Sequence, residues 1–208
     1  MEQISKGNGG SCVLSAYSSS VINLSNHLTT SLGITAQYFT LNKNWTVEPR
    51  AALKWSFNPK HALALAYGLH SRREKLDYYF VEQEANGKTE SNRYLDFSKA
   101  HHFGLTYDWN INSYMHLKVE PYYQYLFRIP VEENSSFSII NHQSFYLDRI
   151  LKNRGSGVNY GIDITLEQYM KNGFYYMITA SLFKSKYKAG DNIWRCLLYT
   201  SPSPRDGA

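Results

Sequence analysis

The segment His142-Gln143-Ser144 is where nucleophilic catalysis could be sought in this sequence. In an extended chain alternate side chains share a face, so the histidine could act as a base for the serine hydroxyl. The tripeptide lies inside a long segment without a clear strand pattern, so nothing in the sequence fixes this geometry. The sequence also lacks a phosphate-binding loop, a dinucleotide fingerprint and a His-Glu-x-x-His zinc motif. We therefore predict that the protein is not an enzyme and has no catalytic residues.

Histidines and cysteines are the other residues that could do chemistry here. His101 and His102 are adjacent, but neighbouring residues of a strand point to opposite faces, so both cannot bind the same ion. Cys12 and Cys196 are far apart and match neither the spacing of zinc ligands nor a disulfide framework. We expect no metal site and no cofactor.

The dominant pattern is an alternation of apolar and polar residues, clearest from Thr46 to Phe57. Successive side chains of a β-strand point to opposite faces. One face of this segment therefore carries Val47, Pro49, Ala51, Leu53, Trp55 and Phe57, and the other carries Glu48, Arg50, Lys54 and Ser56. An apolar face with aromatic ends, backed by charges of both signs, is typical of an outer-membrane β-barrel wall. We expect the apolar face to contact outer-membrane lipid and the charged face to line a hydrated lumen.

The composition agrees with this interpretation and excludes others. The 208 residues are 43% hydrophobic and 15% aromatic, with 18 tyrosines, which suit positions that are apolar at one end and polar at the other. The mean hydropathy of −0.46 leaves no segment with the ~18 apolar residues of a membrane-spanning helix. The net charge is +5, but Lys and Arg are interspersed with Asp and Glu, so we expect no nucleic-acid partner.

Eight alternating segments of about ten residues match the length of a tilted strand that crosses a bilayer. They are Val13–Leu24, Leu28–Tyr38, Thr46–Phe57, Ala62–Leu69, His102–Trp109, Met115–Arg128, Val158–Glu167 and Phe174–Leu182. Tight turns follow the first, third, fifth and seventh segments, whereas long links (His70–Asp96 and Ile129–Ser156) follow the fourth and sixth. Outer-membrane barrels show this asymmetry, with the long loops outside the cell. Pro49 and Pro121 should interrupt strand pairing.

Two sets of residues are candidates for function in such a barrel. Charged side chains of the polar faces either contact a domain inside the lumen or only line a wet channel: Glu48, Arg50, Lys54, Lys118, Glu120 and Arg128. Aromatic and arginine side chains of the long loops either anchor a ligand or only pack a self-supporting loop: Arg72, Arg73, Tyr78, Tyr79, Phe137 and Tyr146. The sequence does not identify the ligand.

Three segments resemble strands of TonB-dependent outer-membrane receptors: Val47–Trp55, Glu120–Val131 and Gly155–Glu167. The resemblance covers most of residues 25–194. It implies a barrel of about 22 strands around a plug domain, with this chain supplying about eight of them. It also implies import of a scarce ligand (a metal chelate, a cofactor or a glycan) across the outer membrane of a Gram-negative bacterium, energised by the TonB complex. We expect the plug and the TonB-contacting segment to lie outside this sequence.

Two alternatives remain open at this point. The first is a complete barrel of eight strands that acts as an anchor or an adhesin. The second is an outer-membrane lipase, because outer-membrane phospholipases resemble this chain in using a His–Ser pair. In that family the serine is followed by Asn-Gly-Arg, whereas Phe145, Tyr146 and Leu147 follow Ser144 here.

Both ends of the sequence bear on its domain organisation. Met1 is not followed by a secretory signal, so we expect the natural N-terminus to lie further upstream. The segment from Cys196 to Asp206 resembles the translation of a sequencing-library adapter, and its two Ser-Pro pairs disfavour strand pairing. We therefore assign residues 1–195 to a partial barrel domain and 196–208 to a non-native tail.

Overall fold

The computed structural model describes residues 10–85, 88–142 and 146–197. Within these ranges the chain forms eleven strands and three short 3-10 turns. The strands are β1 (Val13–Ser25), β2 (Leu28–Phe39), β3 (Asn44–Asn58), β4 (His61–Arg72), β5 (Glu82–Ala85), β6 (Lys88–Ser91), β7 (Ser98–Asn112), β8 (Met115–Val131), β9 (Lys152–Lys171), β10 (Phe174–Lys188) and β11 (Trp194–Cys196). The 3-10 turns span Leu76–Phe80, Asn92–Tyr94 and Ile139–Asn141. Among the described residues, no helix is both long and apolar enough to span a bilayer.

Nine strands form one antiparallel sheet in the order β1-β2-β3-β4-β7-β8-β9-β10-β11, and β5 pairs with β6 alone. The large sheet is open, with β1 and β11 at its two edges. The predicted all-β, antiparallel barrel wall is thus confirmed, and its eight segments correspond to β1–β4 and β7–β10. Strand β11 was not predicted: it continues the sheet through Cys196, which pairs with Lys186. The rest of the proposed tail, from residue 198, lies outside the described residues.

The two faces of the sheet differ as the alternation predicts. On the apolar face Leu53, Trp55 and Tyr125 are 41%, 51% and 39% exposed, so the described residues place no second layer of protein over them. On the opposite face Glu48 is only 2% exposed. The apolar face is therefore available to lipid, and the charged face is the side on which the loops pack.

Both prolines interrupt pairing on one side of their strand. The β3–β4 ladder ends at Arg50 and Gly68, next to Pro49. The β7–β8 ladder breaks between Tyr122 and Val119, on either side of Pro121. Proline lacks the N–H that a ladder bond requires, which explains both interruptions and confirms the prediction made for them.

The hydrophobic core lies at one rim of the sheet, in the two long loops. The described residues of segments 73–97 and 132–151, which we call the cap, connect β4 to β7 and β8 to β9. Their buried apolar side chains pack with Phe39, at the end of β2, in a single cluster: Tyr78, Tyr79, Val81, Leu95, Phe97, Leu147 and Leu151. The cap is therefore a folded unit with its own core.

Candidate functional site

The cap leans over the charged face of the sheet. Phe39 lies on the same strand face as Gln37, whose side chain contacts Glu48. The ring of Tyr79 meets the Phe39 ring edge-on at a centroid distance of 5.2 Å, and both residues are 1% exposed. Because Phe39 projects from the charged face, the loops that cover it fold over that face of the sheet.

Asn92 joins the two loops of the cap. It is fully buried, and its side-chain amide donates to the carbonyl of Arg149 at 2.9 Å and accepts from the N–H of Leu151 at 2.7 Å. Its own N–H donates to the carbonyl of Val81 at 3.0 Å. A single side chain thus satisfies two backbone groups of the other loop, which ties the loops into one unit.

The cap is also fastened to the sheet. The side chains of Asn42, in the β2–β3 link, and Asn44, the first residue of β3, donate to the carbonyl of Leu95 at 2.7 and 3.3 Å. Asp96 accepts from the guanidinium of Arg128 at 2.5 Å. Arg128 has a positive φ of 55° and lies at a register shift in β8, so its backbone leaves the regular strand. This predicted lumen residue therefore anchors the cap.

Glu48 is a buried carboxylate on the charged face of the sheet. It accepts from Gln37 Nε2 at 2.7 Å, from the Ser71 N–H at 3.2 Å and from the Ser71 hydroxyl. Arg50 lies 3.3 Å from its second oxygen. These bonds form where the β3–β4 ladder has ended, so the carboxylate accepts the N–H that β3 leaves unpaired. Burying a carboxylate is costly unless it is hydrogen-bonded, and here it is.

The other predicted lumen charges remain apart from this network. Lys118 lies 2.8 Å from Glu120 on the same face of β8, and both side chains are about one-third exposed. A pair this accessible contributes at most about 1 kcal/mol. Lys54 is exposed. The structure therefore brings Glu48 and Arg50 together and leaves Lys54, Lys118 and Glu120 facing open space.

The predicted loop residues divide into buried and exposed members. Tyr78 and Tyr79 are 4% and 1% exposed and belong to the cap core, and Phe137 packs against that core. The Arg73 guanidinium lies 5.8 Å from the Phe39 ring centroid. The side chain of Arg72 is 78% exposed and Tyr146 is 87% exposed. The buried members pack the loop, and Arg72, Arg73 and Tyr146 are the members exposed to solvent.

Burial has an electrostatic consequence at Tyr79. Desolvation raises the pKa of its phenol from 10.0 to about 12; the hydrogen bond from the Glu74 N–H opposes this shift, and the charge of the Glu74 carboxylate adds to it. The N–H of Glu74 donates to the phenol oxygen at 3.3 Å, and the Glu74 carboxylate accepts from Ser98 at 2.7 Å. Tyr79 is thus a neutral structural group at physiological pH.

His142, the histidine of the His–Ser pair on which the lipase alternative depends, also belongs to the cap. Its ring meets the rings of Tyr78 and Phe137 edge-on at 5.9 and 5.3 Å. Nε2 of His142 is buried and has no hydrogen-bond partner among the described residues. Ser144 lies outside the described residues, so the geometry of the pair is not tested.

His101 and His102 point to opposite faces, as predicted. His101 contacts the Tyr67 hydroxyl at 3.0 Å on the apolar face. On the charged face His102 meets His70 of β4 at a centroid distance of 4.5 Å. Sequence reasoning missed His70, because its partner is 32 residues away and only the strand register brings them together. No group of three or more His, Cys, Asp or Glu within the described ranges is arranged to hold a metal ion.

Comparison with known proteins supports the fold alone. No family model matches the sequence and no curated protein matches it. The FrpB iron transporter from Neisseria meningitidis (F5-1 variant, apoprotein form) matches with a TM-score of 0.55 and 11% identity, over 89% of this chain and 26% of that chain. Its F3-3 variant matches with a TM-score of 0.52, the same identity and the same coverage. The described chain therefore folds as a barrel wall like that of this transporter and spans about a quarter of its length.

Proposed function

We propose that this chain forms part of the wall and of the external loops of a TonB-dependent outer-membrane receptor that imports a scarce ligand. The ligand class is a metal chelate, a cofactor or a glycan. The receptor lies in the outer membrane of a Gram-negative bacterium, where its partners are lipid, its own plug domain and the TonB complex. Nucleic acid is not a partner.

The observation that carries the proposal is the placement of the cap on the sheet. One face of the sheet exposes apolar side chains such as Leu53 and Trp55, as a lipid-facing wall requires. The cap packs on the opposite face and is held by Asn92 and Arg128. Loops that fold inward narrow the mouth of a barrel and place exposed side chains, such as Arg72, where a ligand enters.

The charged face supplies the surface on which a plug would rest. Glu48 is buried among its partners Gln37 and Ser71 in the sheet, so the more accessible charges (Arg50, Lys54, Lys118, Glu120 and Arg128) are the candidates for plug contacts. In a hydrated lumen the accessible parts of these side chains keep their water until a partner replaces it, so their charges cost little. These charges contact the plug, and the exposed loop residues Arg72, Arg73 and Tyr146 contact the ligand.

Two measurements test it. The genomic DNA upstream of Met1 should encode, in the same reading frame, a plug domain of about a hundred residues or more. In cells that express the complete gene, uptake of a labelled iron chelate, corrinoid or oligosaccharide should depend on both the gene and TonB. Uptake that is unchanged without TonB, or a signal peptide placed directly before Val13, would refute the receptor assignment.

The alternatives have less support. A closed barrel of eight strands does not fit a sheet of nine strands whose edge strands β1 and β11 are not paired with each other. A lipase depends on His142 and on Ser144, which lies outside the described residues. Loss of ester hydrolysis in a Ser144→Ala variant of the complete protein would favour the lipase over the receptor.

A further inference from the structure

Two histidines of neighbouring strands meet on the charged face of the sheet. His102 of β7 lies opposite Gly68 of β4, and His70 is two residues further along β4, on the same face. Their ring centroids are 4.5 Å apart and their planes are tilted by 52°. Both residues are partly buried and partly accessible. The register of β4 and β7 therefore places two imidazoles side by side, facing the lumen.

Gly68 makes this approach possible. A Cβ atom at Gly68 would lie 2.7 Å from Nε2 of His70, so the imidazole lies over the glycine and beside His102. At Gly104, two residues beyond His102 on the same face of β7, a Cβ atom would meet nothing within 4 Å. The orientation of His70 thus uses the space left by the missing side chain of Gly68.

The pair borders an open cavity of about 670 Å³ on this face, whose lining includes Arg50, Gln124 and Tyr122. Arg50 is the cation of this lining, and its charge is offset by Glu48 at 3.3 Å. The side chain of Gln124 accepts from Asn159 at 3.3 Å. Water and small ions can therefore reach the two imidazoles.

We propose that His70 and His102 form a two-histidine site for a first-row divalent transition-metal ion, such as Zn²⁺, Ni²⁺ or Cu²⁺. Imidazole nitrogens bind these ions at about 2.0–2.1 Å, which places two ligand atoms about 3.3 Å apart on a tetrahedral ion. Small side-chain rotations bring rings with centroids 4.5 Å apart to that spacing. Water from the cavity completes the coordination. Ca²⁺ and Mg²⁺, which prefer oxygen ligands, are not expected to bind.

The site holds its ion through two protein ligands only, since the described residues provide no group of three or more. Binding is therefore reversible, as expected for a metal ion that moves through the lumen or is carried by another ligand. The inference requires only that this face is hydrated. A barrel that binds the metal but imports nothing would refute the proposed receptor function and leave the site intact.

The test is titration of Ni²⁺, Zn²⁺ and Cu²⁺ into the complete protein, folded in detergent, with binding followed by calorimetry and, for Cu²⁺, by electron paramagnetic resonance. We expect one site with nitrogen coordination. His70→Ala and His102→Ala should each weaken binding about tenfold or more, because each removes one of two ligands. His101→Ala is the matched control: its imidazole is on the other face, so affinity should be unchanged.

Gly68→Ala tests the geometry with both histidines retained. Its new methyl group should push the His70 ring away and weaken binding several-fold, whereas Gly104→Ala should not. All variants are compared at equal folded fraction, measured by heat-dependent gel mobility. Equal affinity in the wild type and a His70→Ala/His102→Ala double variant, or equal loss in Gly68→Ala and Gly104→Ala, would overturn the proposal.

Discussion

The side-chain oxygen of Asn92 accepts a hydrogen bond of 2.7 Å from the N–H of Leu151, a residue 59 positions later in the chain. The same amide donates to the carbonyl of Arg149. The side chain of Asn92 thus supplies hydrogen bonds between two loops that are not joined by strand pairing. Because the bond to Leu151 is buried and the bond to Arg149 is partly buried, the loops are expected to order and to open together.

Replacing Asn92 with alanine should open the cap. The change leaves the N–H of Leu151 and the carbonyl of Arg149 without their partner, which costs about 1–3 kcal/mol for the buried N–H of Leu151 and less for the partly buried carbonyl of Arg149. The barrel strands should stay folded, so the effect should be local. Limited proteolysis should cut the 146–150 segment faster, and the Leu151 amide should exchange faster with deuterium. Asn23→Ala, at the exposed hairpin of the opposite rim, is the matched control; equal cleavage rates in the two variants would contradict the role of Asn92.

Glu48 should matter more than any of the accessible carboxylates. Glu48→Gln keeps the shape of the side chain but removes its negative charge. The ion pair with Arg50 is lost and the hydrogen bond from Ser71 is weakened, so the barrel should lose about 1–3 kcal/mol of stability against urea. Glu120→Gln should cost less than about 1 kcal/mol, because its pair with Lys118 is accessible to water. The midpoint of urea unfolding in lipid vesicles measures both. A larger loss of stability in Glu120→Gln than in Glu48→Gln would show that burial does not increase the contribution of Glu48.

The strands could be predicted because their chemistry is local. Alternation along Thr46–Phe57 predicts which face of the strand is polar. The observed β3 extends that segment by two residues at its start and one at its end. Pro49 and Pro121 interrupt ladders for a reason visible in the residue itself. Strand β11 was missed because its three residues, Trp194–Cys196, are too few to show a period and lie beside two Ser-Pro pairs.

The candidate sites could be predicted only in part. Sequence shows that Tyr79 is in a long loop, but its burial depends on Phe39, which is 40 residues away. The same holds for Arg128, whose partner Asp96 is reached only through the fold of the cap. His70 and His102 meet as diagonal neighbours, because the β4–β7 register pairs His102 with Gly68 and His70 with Ala100, and no local pattern predicts that register. The periodicity of the sequence therefore does not predict contacts between distant segments.

Gly190 should tolerate no side chain. A Cβ atom there would lie 1.9 Å from the carbonyl oxygen of Glu132, which is backbone and cannot rotate away. Gly190→Ala should therefore separate the β10–β11 turn from the start of segment 132–151 and weaken the bond that Asp191 donates to Ser135. Faster deuterium exchange at Asp191 and Leu197 is the expected readout. Gly104→Ala, which adds a methyl group into open space, should leave both rates unchanged; a normal Asp191 rate in Gly190→Ala would contradict the close approach.

The pKa of Tyr79 makes the stability of the cap depend on alkaline pH. Burial raises this pKa from 10.0 to about 12, so the folded cap holds the phenol proton more tightly than the unfolded cap does. The resulting stabilisation is fully present below pH 10 and is lost as the pH rises from 10 to about 12. This difference in pKa corresponds to about 3 kcal/mol in the stability of the folded cap. Proteolytic opening of the cap should therefore increase steeply across this window.

Tyr79→Phe separates this effect from general alkaline damage. The variant lacks the ionisable hydroxyl, so it should lose the bond from the Glu74 N–H at every pH but show no extra opening between pH 10 and 12. Tyr146→Phe is the matched control, because Tyr146 is 87% exposed and its ionisation needs no opening. It should follow the wild-type curve. If Tyr79→Phe and the wild type opened in parallel across the window, the phenol of Tyr79 would not be the group that alkali titrates.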